Sequence, residues 1–415
     1  MEHDNKRHNW QLRRDLSKSL SRRSLLKGIG VLAVTKYASA LTGSTLAYVG
    51  TYTPNGGGIH IFNADASTGH LSFIKFVPVS NPSWIAFDPQ KKYLYAVNEI
   101  SNFNGTANGS VTAYSVNPVT GDLTLLNVVS SQGGGPAHLS VHPSGKWVFV
   151  ANYGGGNVAV LPVLGNGSLG NAVDVKADNS ACSPACAVGP TTAASGPPGS
   201  FAVSGHDAPH AHMIQSDPSG NFVIVNDVGL DLTIIWNFDS TTGLLSSPRT
   251  VPSSAGAGPR HFAFHPNGRW FYSVNEEAST VEFMTYTAST GTLVPQEEVT
   301  ALPPGFAGTN FAAEIIVSPD GGSLFVSDRL HNSIATLKID GSSGRPLFVS
   351  EALTAGDYPR SCNFEPNGLF LYACNQRSDD ITLFFIHPSG DGDRLELLNT
   401  YTAVGSPASI IFRRF

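Results

Sequence analysis

PRHFAFHPNGRWFYSVNEE, residues 259–277, reads as a short strand, a Pro/Gly turn and a β-rich strand ending in Asn. Five other stretches spell the same phrase. They are PSWIAFDPQKKYLYAVNE (82–99), PAHLSVHPSGKWVFVANY (136–153), PHAHMIQSDPSGNFVIVNDV (209–228), AAEIIVSPDGGSLFVSDRL (312–330) and PRSCNFEPNGLFLYACNQ (359–376). A strand–turn–strand unit recurring at a steady interval marks a propeller or an array. The turn prolines Pro89, Pro143, Pro218, Pro266, Pro319 and Pro366 lie 54, 75, 48, 53 and 47 residues apart. The outlier contains an insertion, about 172–206, rich in Ala, Gly, Ser and Pro. Without it the period falls near the roughly 40–50 residues of a four-stranded blade.

Two more strand candidates follow each copy. After the first come GSVTAYSVN (109–117) and DLTLLNVV (122–129), joined by a turn with Thr120-Gly121. Alternating apolar residues between turn signals read as antiparallel strands. A seventh blade assembles from both ends of the chain: SPASIIFRRF (406–415) supplies its first strand, and LAYVGTYT (46–53), GGIHIFNAD (57–65) and GHLSFIKFV (69–77) the others. Closing the ring this way covers two edges that would otherwise invite aggregation. The expected fold is all-β, a seven-bladed propeller of four-stranded antiparallel blades. Two stacked sandwiches are the alternative, and they leave the regular period unexplained.

At 415 residues, with 43 Gly and only 13% charged residues, the chain suits one large propeller domain, 41–415. Residues 1–40 read differently. Ser21-Arg22-Arg23-Ser24-Leu25-Leu26-Lys27 is a twin-arginine pattern, Gly28–Val34 is a short apolar run, and Ala38-Ser39-Ala40 resembles a cleavage site. This order predicts an export signal and a periplasmic or extracellular protein. The remainder carries sixteen Lys/Arg against twenty-eight Asp/Glu, a net −12. An acidic protein is a poor partner for nucleic acid, and no segment after residue 41 is long and apolar enough to span a membrane. An oxidising compartment permits a disulfide between Cys182 and Cys186. Cys362 and Cys374 are either cross-strand neighbours or two buried thiols.

What breaks the repeat is where function is sought. At the first-strand position the copies carry Trp84, His138, His212, His261, Glu314 and Ser361. At the end of the second strand they carry Glu99, Tyr153, Asp227, Glu276, Arg329 and Gln376. Equivalent positions of a propeller converge on one axis, so these ionisable residues are expected to share one pocket. His142 and His265 occupy the turn position filled elsewhere by Asp88, Asp217, Ser318 and Glu365, and are expected to be turn residues. His206, His210 and His212 form a cluster without a carboxylate at a familiar metal spacing, which makes zinc the lesser reading.

Further motifs resemble the lactonase-type seven-bladed propellers, which include the propeller 6-phosphogluconolactonases and carboxymuconate-cyclising enzymes. The resemblance rests on Tyr-Val-Gly-Thr-Tyr-Thr at 48–53, Gly-Pro-Arg-His at 258–261, Val-Asn-Glu at 274–276, Ala-Glu-Ile at 313–315 and Ser-Asp-Arg at 327–329. It implies a catalytic group of His212, Arg260, Glu276 and Arg329. The sequence departs from the family at Ser-Asp-Arg-Leu-His (327–331), where relatives often have Ser-Asn-Arg-Gly-His, and in the insertion before His206.

Lactone hydrolysis needs an activated water and a stabilised carbonyl oxygen. His212 or Glu276 suits the general base, and Arg260 and Arg329 suit anionic oxygens. An arginine neighbour keeps Glu276 ionised. His138, His210, His261, Glu314, Arg360 and Gln376 are expected to contact substrate, with Arg360 mattering less than Arg329. The same inventory serves ring closure of a muconate-like diacid. A lactonase is therefore the first reading, a carboxymuconate cyclase-like cycloisomerase the second, and a non-enzymatic binding or surface scaffold the third. The expected partner is a small lactone or related carboxylate, with no cofactor and no metal. Export favours an unphosphorylated sugar lactone or an aromatic-degradation lactone over a phosphorylated one.

Overall fold

Each copy of the repeat becomes the inner hairpin of one blade in the computed structural model, which describes residues 44–415. The twin-arginine pattern and the cleavage site lie outside the described residues. Blade 1 comprises Ile85–Phe87, Tyr93–Asn98, Ser110–Val116 and Leu123–Ser130. Blades 2 to 6 begin at Pro136–Val141, Ala211–Ser216, Pro259–Phe264, Ala312–Val317 and Pro359–Phe364. All seven sheets have four antiparallel strands. Among the described residues no helix is long and apolar enough to cross a membrane.

The second strand of blades 2 to 6 is buried along its whole length. Both its faces meet neighbouring blades, which is why it reads as a continuous apolar run. Between blades 4 and 5, for example, Trp270, Tyr272, Val274 and Phe283 pack with Ile315, Leu324, Val326 and Leu337. Each such side chain contributes roughly 1.5–3 kcal/mol on burial.

A recurring hook fastens neighbours together. A second-strand tyrosine hydroxyl donates to a turn-glycine carbonyl in the next blade: Tyr48 to Gly121 at 2.7 Å, Tyr272 to Gly344 at 2.7 Å and Tyr372 to Gly69 at 2.7 Å. Gly121 has φ of 73°, and a side chain there would strike Leu46 and the Tyr48 hydroxyl. His142 and His265 are turn residues, as expected. Nδ1 of each accepts a turn amide, and Nε2 reaches the carbonyl of Gly220 or Gly321 in the next blade.

Pro407–Arg414 pairs antiparallel with Thr45–Thr51, so the last blade is built from both ends of the described chain. Cys182 and Cys186 form a disulfide, while Cys362 and Cys374 are buried free thiols. The insertion leaves blade 2 after Asp174–Ala177 and crosses toward blades 4 and 5. There Ser195 donates to Glu298, and the amide of Phe201 donates to Thr309. It returns at Ser204–His206.

Pairing corrects the alignment of the third copy. Ala211 faces Asp227 and Met213 faces Asn226, as Pro259 faces Asn275 and His261 faces Val274. Met213, not His212, is therefore the counterpart of His138 and His261. Val228, not Asp227, is the counterpart of Glu276. Asp227 instead caps local backbone, accepting the amides of His210 and Leu230 at 2.9 Å each. The third copy carries two more residues between its first proline and its turn proline than the other proline-led copies, and matching Ala211-His212 to Ala137-His138 hides the shift.

Candidate active site

In a regular strand adjacent side chains point to opposite faces. The innermost strands here are not regular. A β-bulge falls between Pro136 and His138, Ala211 and Met213, Pro259 and His261, Ala312 and Ile315, and Pro359 and Ser361. The ring-closing strand shifts likewise at Ala408. Such a bulge leaves a residue unpaired and re-aims it. The bulge residues Ala137, His212, Arg260, Arg360 and Ala408, with Ser83, Trp84 and His261, wall a pocket of about 10 Å³. That is the space of about one water molecule. Beyond it the innermost strands of all seven blades line a channel of about 530 Å³.

Glu276 follows the second strand of blade 4 and is clamped by two arginines. Its Oε2 lies 2.8 Å from Nε of Arg260, and its Oε1 lies 2.9 Å from Nη2 of Arg329. Burial opposes its charge, yet Arg329 and Arg260 prevail and lower its pKa to about 2. A carboxylate so held is a weak base and a strong orienting group. Burial, together with Arg329 and Arg360, brings Arg260 down to about 10. Nη1 of Arg260 donates to the Ala313 carbonyl at 2.7 Å. Arg329 is more fully occupied: Nε donates to Phe311 O, Nη1 to the Tyr358 hydroxyl and Nη2 to Ala312 O. It stands behind Glu276 and does not line the small pocket.

His212 lines the pocket, and its Nδ1 is buried without a partner. Its ring meets His261 edge-on at 5.0 Å and Tyr153 at 5.7 Å. Burial, then Arg260, His261, Arg360 and Arg329, push its pKa well below the ordinary imidazole value. A neutral imidazole among cations can accept a proton from a bound water. His138 and His261 are held neutral by the same causes, burial first.

Arg360 also lines the pocket, and among the described residues its guanidinium has no hydrogen-bonding partner. It lies 5.2 Å from the Tyr52 ring. Burial opposes its charge, but Tyr52, Glu99, Tyr358 and Glu276 raise its pKa. Glu99 is fixed in turn by the Tyr52 hydroxyl at 2.6 Å and the Ser83 hydroxyl at 2.5 Å. A guanidinium with uncommitted donors is a ready receptor for anionic oxygen.

The remaining expected residues separate. His261 joins the pocket wall, and His138 and Glu314 line the channel beyond it. His210 is occupied elsewhere: Nδ1 meets Tyr153 O, Nε2 meets Asp207, and its ring stacks on Tyr153. Gln376 lines neither cavity, and its buried Oε1 has no partner. Tyr153, one of the second-strand residues expected in the pocket, packs on His212, while Tyr52, Ser83 and Tyr358 support the site without being foreseen in it. One signal was present: Val97-Asn98-Glu99 repeats Val274-Asn275-Glu276.

The insertion reaches the rim. The Tyr153 hydroxyl donates to Ser204 O at 3.0 Å, and the amides of Ser204 and Gly205 donate to Glu277. Among the described residues no three His, Cys, Asp or Glu side chains are arranged to hold a metal ion.

A ring of seven blades around an Arg–Glu–Arg and His cluster invites comparison with known proteins. The family model for "Lactonase, 7-bladed beta-propeller" matches residues 46–412. The chain belongs to this family. Among its lactonase-family relatives, a Bacillus subtilis protein named 6-phosphogluconolactonase is 31% identical over 88% of this chain and 98% of its own. A protein of the same name from Formosa agariphila is 29% identical over 81% of this chain and 91% of its own. A solved structure described as the periplasmic gluconolactonase of Pseudomonas aeruginosa superposes with a TM-score of 0.77 at 28% identity, covering 89% of this chain and 99% of that one.

Proposed function

We propose that this propeller is a lactonase that hydrolyses a sugar-type lactone to its hydroxy acid. One observation carries the reading. A water-sized pocket is lined by His212, whose Nδ1 is buried without a partner, and by Arg260 and Arg360. Water in that pocket can lose a proton to neutral His212 while the arginines stabilise charge gathering on the carbonyl oxygen. Glu276 holds Arg260 and Arg329 in place and keeps the site from becoming a purely cationic one. The relatives named 6-phosphogluconolactonase and gluconolactonase support the same reaction class.

The natural substrate is an unphosphorylated aldonolactone. The twin-arginine pattern at 21–27 supports export, as does the Cys182–Cys186 disulfide, which suits an oxidising compartment. A sugar phosphate is a cytosolic metabolite. The neighbour described as a periplasmic gluconolactonase supports the same assignment. The test is acid release by the protein from gluconolactone, its 6-phosphate and a muconolactone. Turnover of the first above the second is expected. Preference for the muconolactone would favour the cyclising reading, and turnover of none would favour a scaffold.

A further inference from the structure

We propose that His261 and Glu314 form a proton relay, draining the proton released in lactone hydrolysis into the channel beyond the pocket. The proposal rests on the lactonase reading above and adds to it a route that His212, Arg260, Glu276 and Arg329 do not provide.

Hydrolysis of a lactone near neutral pH yields a hydroxy carboxylate and one proton per turnover. Arg260, Arg329 and Arg360 disfavour a protonated imidazole at His212 and at His261 alike, so the proton rests only where a carboxylate can receive it. His261 and Glu314 form a pair built to receive it. Nδ1 of His261 lies 2.9 Å from Oε1 of Glu314, and both side chains are almost wholly buried. The same Oε1 accepts the Ile315 amide at 3.1 Å, and the Glu314 amide is tied to Ser327 Oγ at 3.0 Å. These bonds fix the carboxyl against the ring. Nε2 of His261 is left with no partner. Packing sets the ring plane, with Trp84 edge-on at 5.1 Å, His138 at 5.5 Å and His212 at 5.0 Å.

Position gives the pair its direction. His261 belongs to the wall of the small pocket, and Glu314 to the wall of the 530 Å³ channel. The contact between them bridges the two spaces. Charged groups facing His261 are Arg260, Arg360, Arg329 and Glu276, and those facing Glu314 are Arg260 and Arg360. Burial raises the Glu314 carboxyl to about 8 against the pull of these arginines. At pH 7 such a carboxyl is mostly protonated; its ionised minority is the form that takes the His261 proton, and that minority grows as pH rises through about 8.

The step balances. Water adds to the lactone carbonyl carbon and gives its proton to His212; a second water carries that proton on to Nε2 of His261 while the Nδ1 proton passes to ionised Glu314. The ring C–O bond then breaks, and the departing alkoxide takes the proton of the new carboxylic acid. The product leaves as a hydroxy carboxylate. Glu314 gives its proton to water in the channel, and the Nε2 proton returns to Nδ1 as the ring resets its tautomer.

Glu314→Gln tests the relay. The amide keeps the shape and cannot accept the proton. Lactone turnover is followed at pH 7 and constant ionic strength against rising imidazole. The variant is expected to lose roughly 10²-fold in kcat at low buffer, the lower range for positioned acid–base groups. Imidazole should restore much of it while leaving the parent unaffected. Glu314→Asp, a shorter acid, should retain more turnover than Gln and depend less on imidazole. Parent-like turnover by a folded Glu314→Gln protein would overturn the relay, as would a deficit that ignores imidazole. A parent inert toward every lactone refutes the lactonase reading itself and the relay with it, and that result is distinct from an active parent with an unrescued variant.

Discussion

His212 and Arg260 occupy one structural position in successive blades, each being the unpaired residue of a bulge in its innermost strand. The scaffold thus presents a proton acceptor and a cation from equivalent sites, and only the side chain differs. His212→Asn keeps a polar group and removes the ring. It should lower kcat by roughly 10²–10⁴-fold, the scale of a lost general base, with the unfolding transition close to the parent's. Thermal melting measured beside kcat separates the two effects. Undiminished turnover would remove His212 from the chemistry.

The two outer arginines should behave differently from each other, and in the opposite order to that expected from sequence. Arg360 has no hydrogen-bonding partner among the described residues, whereas the donors of Arg329 are taken by Phe311, Tyr358, Ala312 and Glu276. Arg360→Met should mainly raise KM, by the roughly 1.5–3 kcal/mol of a charged hydrogen bond. Arg329→Met should mainly lower kcat and the melting temperature, because it unclamps Glu276. Equal effects of the two changes on KM would contradict this division.

Much of this arrangement was legible in the chain. The six phrases fixed the inner hairpins, and the resemblance of 406–415 to a first strand revealed the closing pair. The convergence of Arg260, Glu276 and Arg329 followed from the period. The bulges did not follow, because these innermost strands are too short for the shift that an extra residue makes in their alternation to be read from sequence. His212 was set beside His261, when its counterpart is Arg260, because the third copy is two residues longer between its two prolines. The role of Arg360 was hidden too. Whether a guanidinium is free or occupied depends on neighbours such as Tyr52 and Glu99, far away in sequence.

Glu276→Gln removes the charge shared by two buried guanidinium groups. Breaking a buried ion pair from one side costs about 3 kcal/mol, so this variant should be less stable as well as slow. The pH dependence carries its own sign. The Glu276 pKa is lowered from 4.5 to about 2, so its contribution to stability is complete above about 4.5 and fades as pH falls through about 2. Acid unfolding curves of parent and variant should converge in that window. Curves that stay parallel down to pH 2 would show that Glu276 does not stabilise the fold through its charge.

The insertion hangs on one buried histidine. Nε2 of His206 lies 3.0 Å from Asp231, and Nδ1 lies 2.9 Å from Glu277. Asp231 also accepts the amides of Gly256 and Gly258, and Glu277 those of Ser204 and Gly205. A histidine with a carboxylate within 3.0 Å of each ring nitrogen is stabilised as a cation. Burial opposes that charge, but Asp231 and Glu277 outweigh it and raise the pKa from 6.5 to about 9. A raised folded-state value means that the contribution is complete below about 6.5 and is lost as pH rises through about 9. Amide exchange across 189–206, corrected for its intrinsic pH dependence, should therefore quicken above pH 9, before the blades themselves loosen. His206→Phe fills the space without the charge and should show the quickened exchange already at pH 7. Because Ser204 bonds Tyr153 at the pocket rim, the same variant should alter KM more than kcat. Slow exchange in His206→Phe at pH 7 would show that the insertion is held by its backbone bonds to blades 4 and 5 instead.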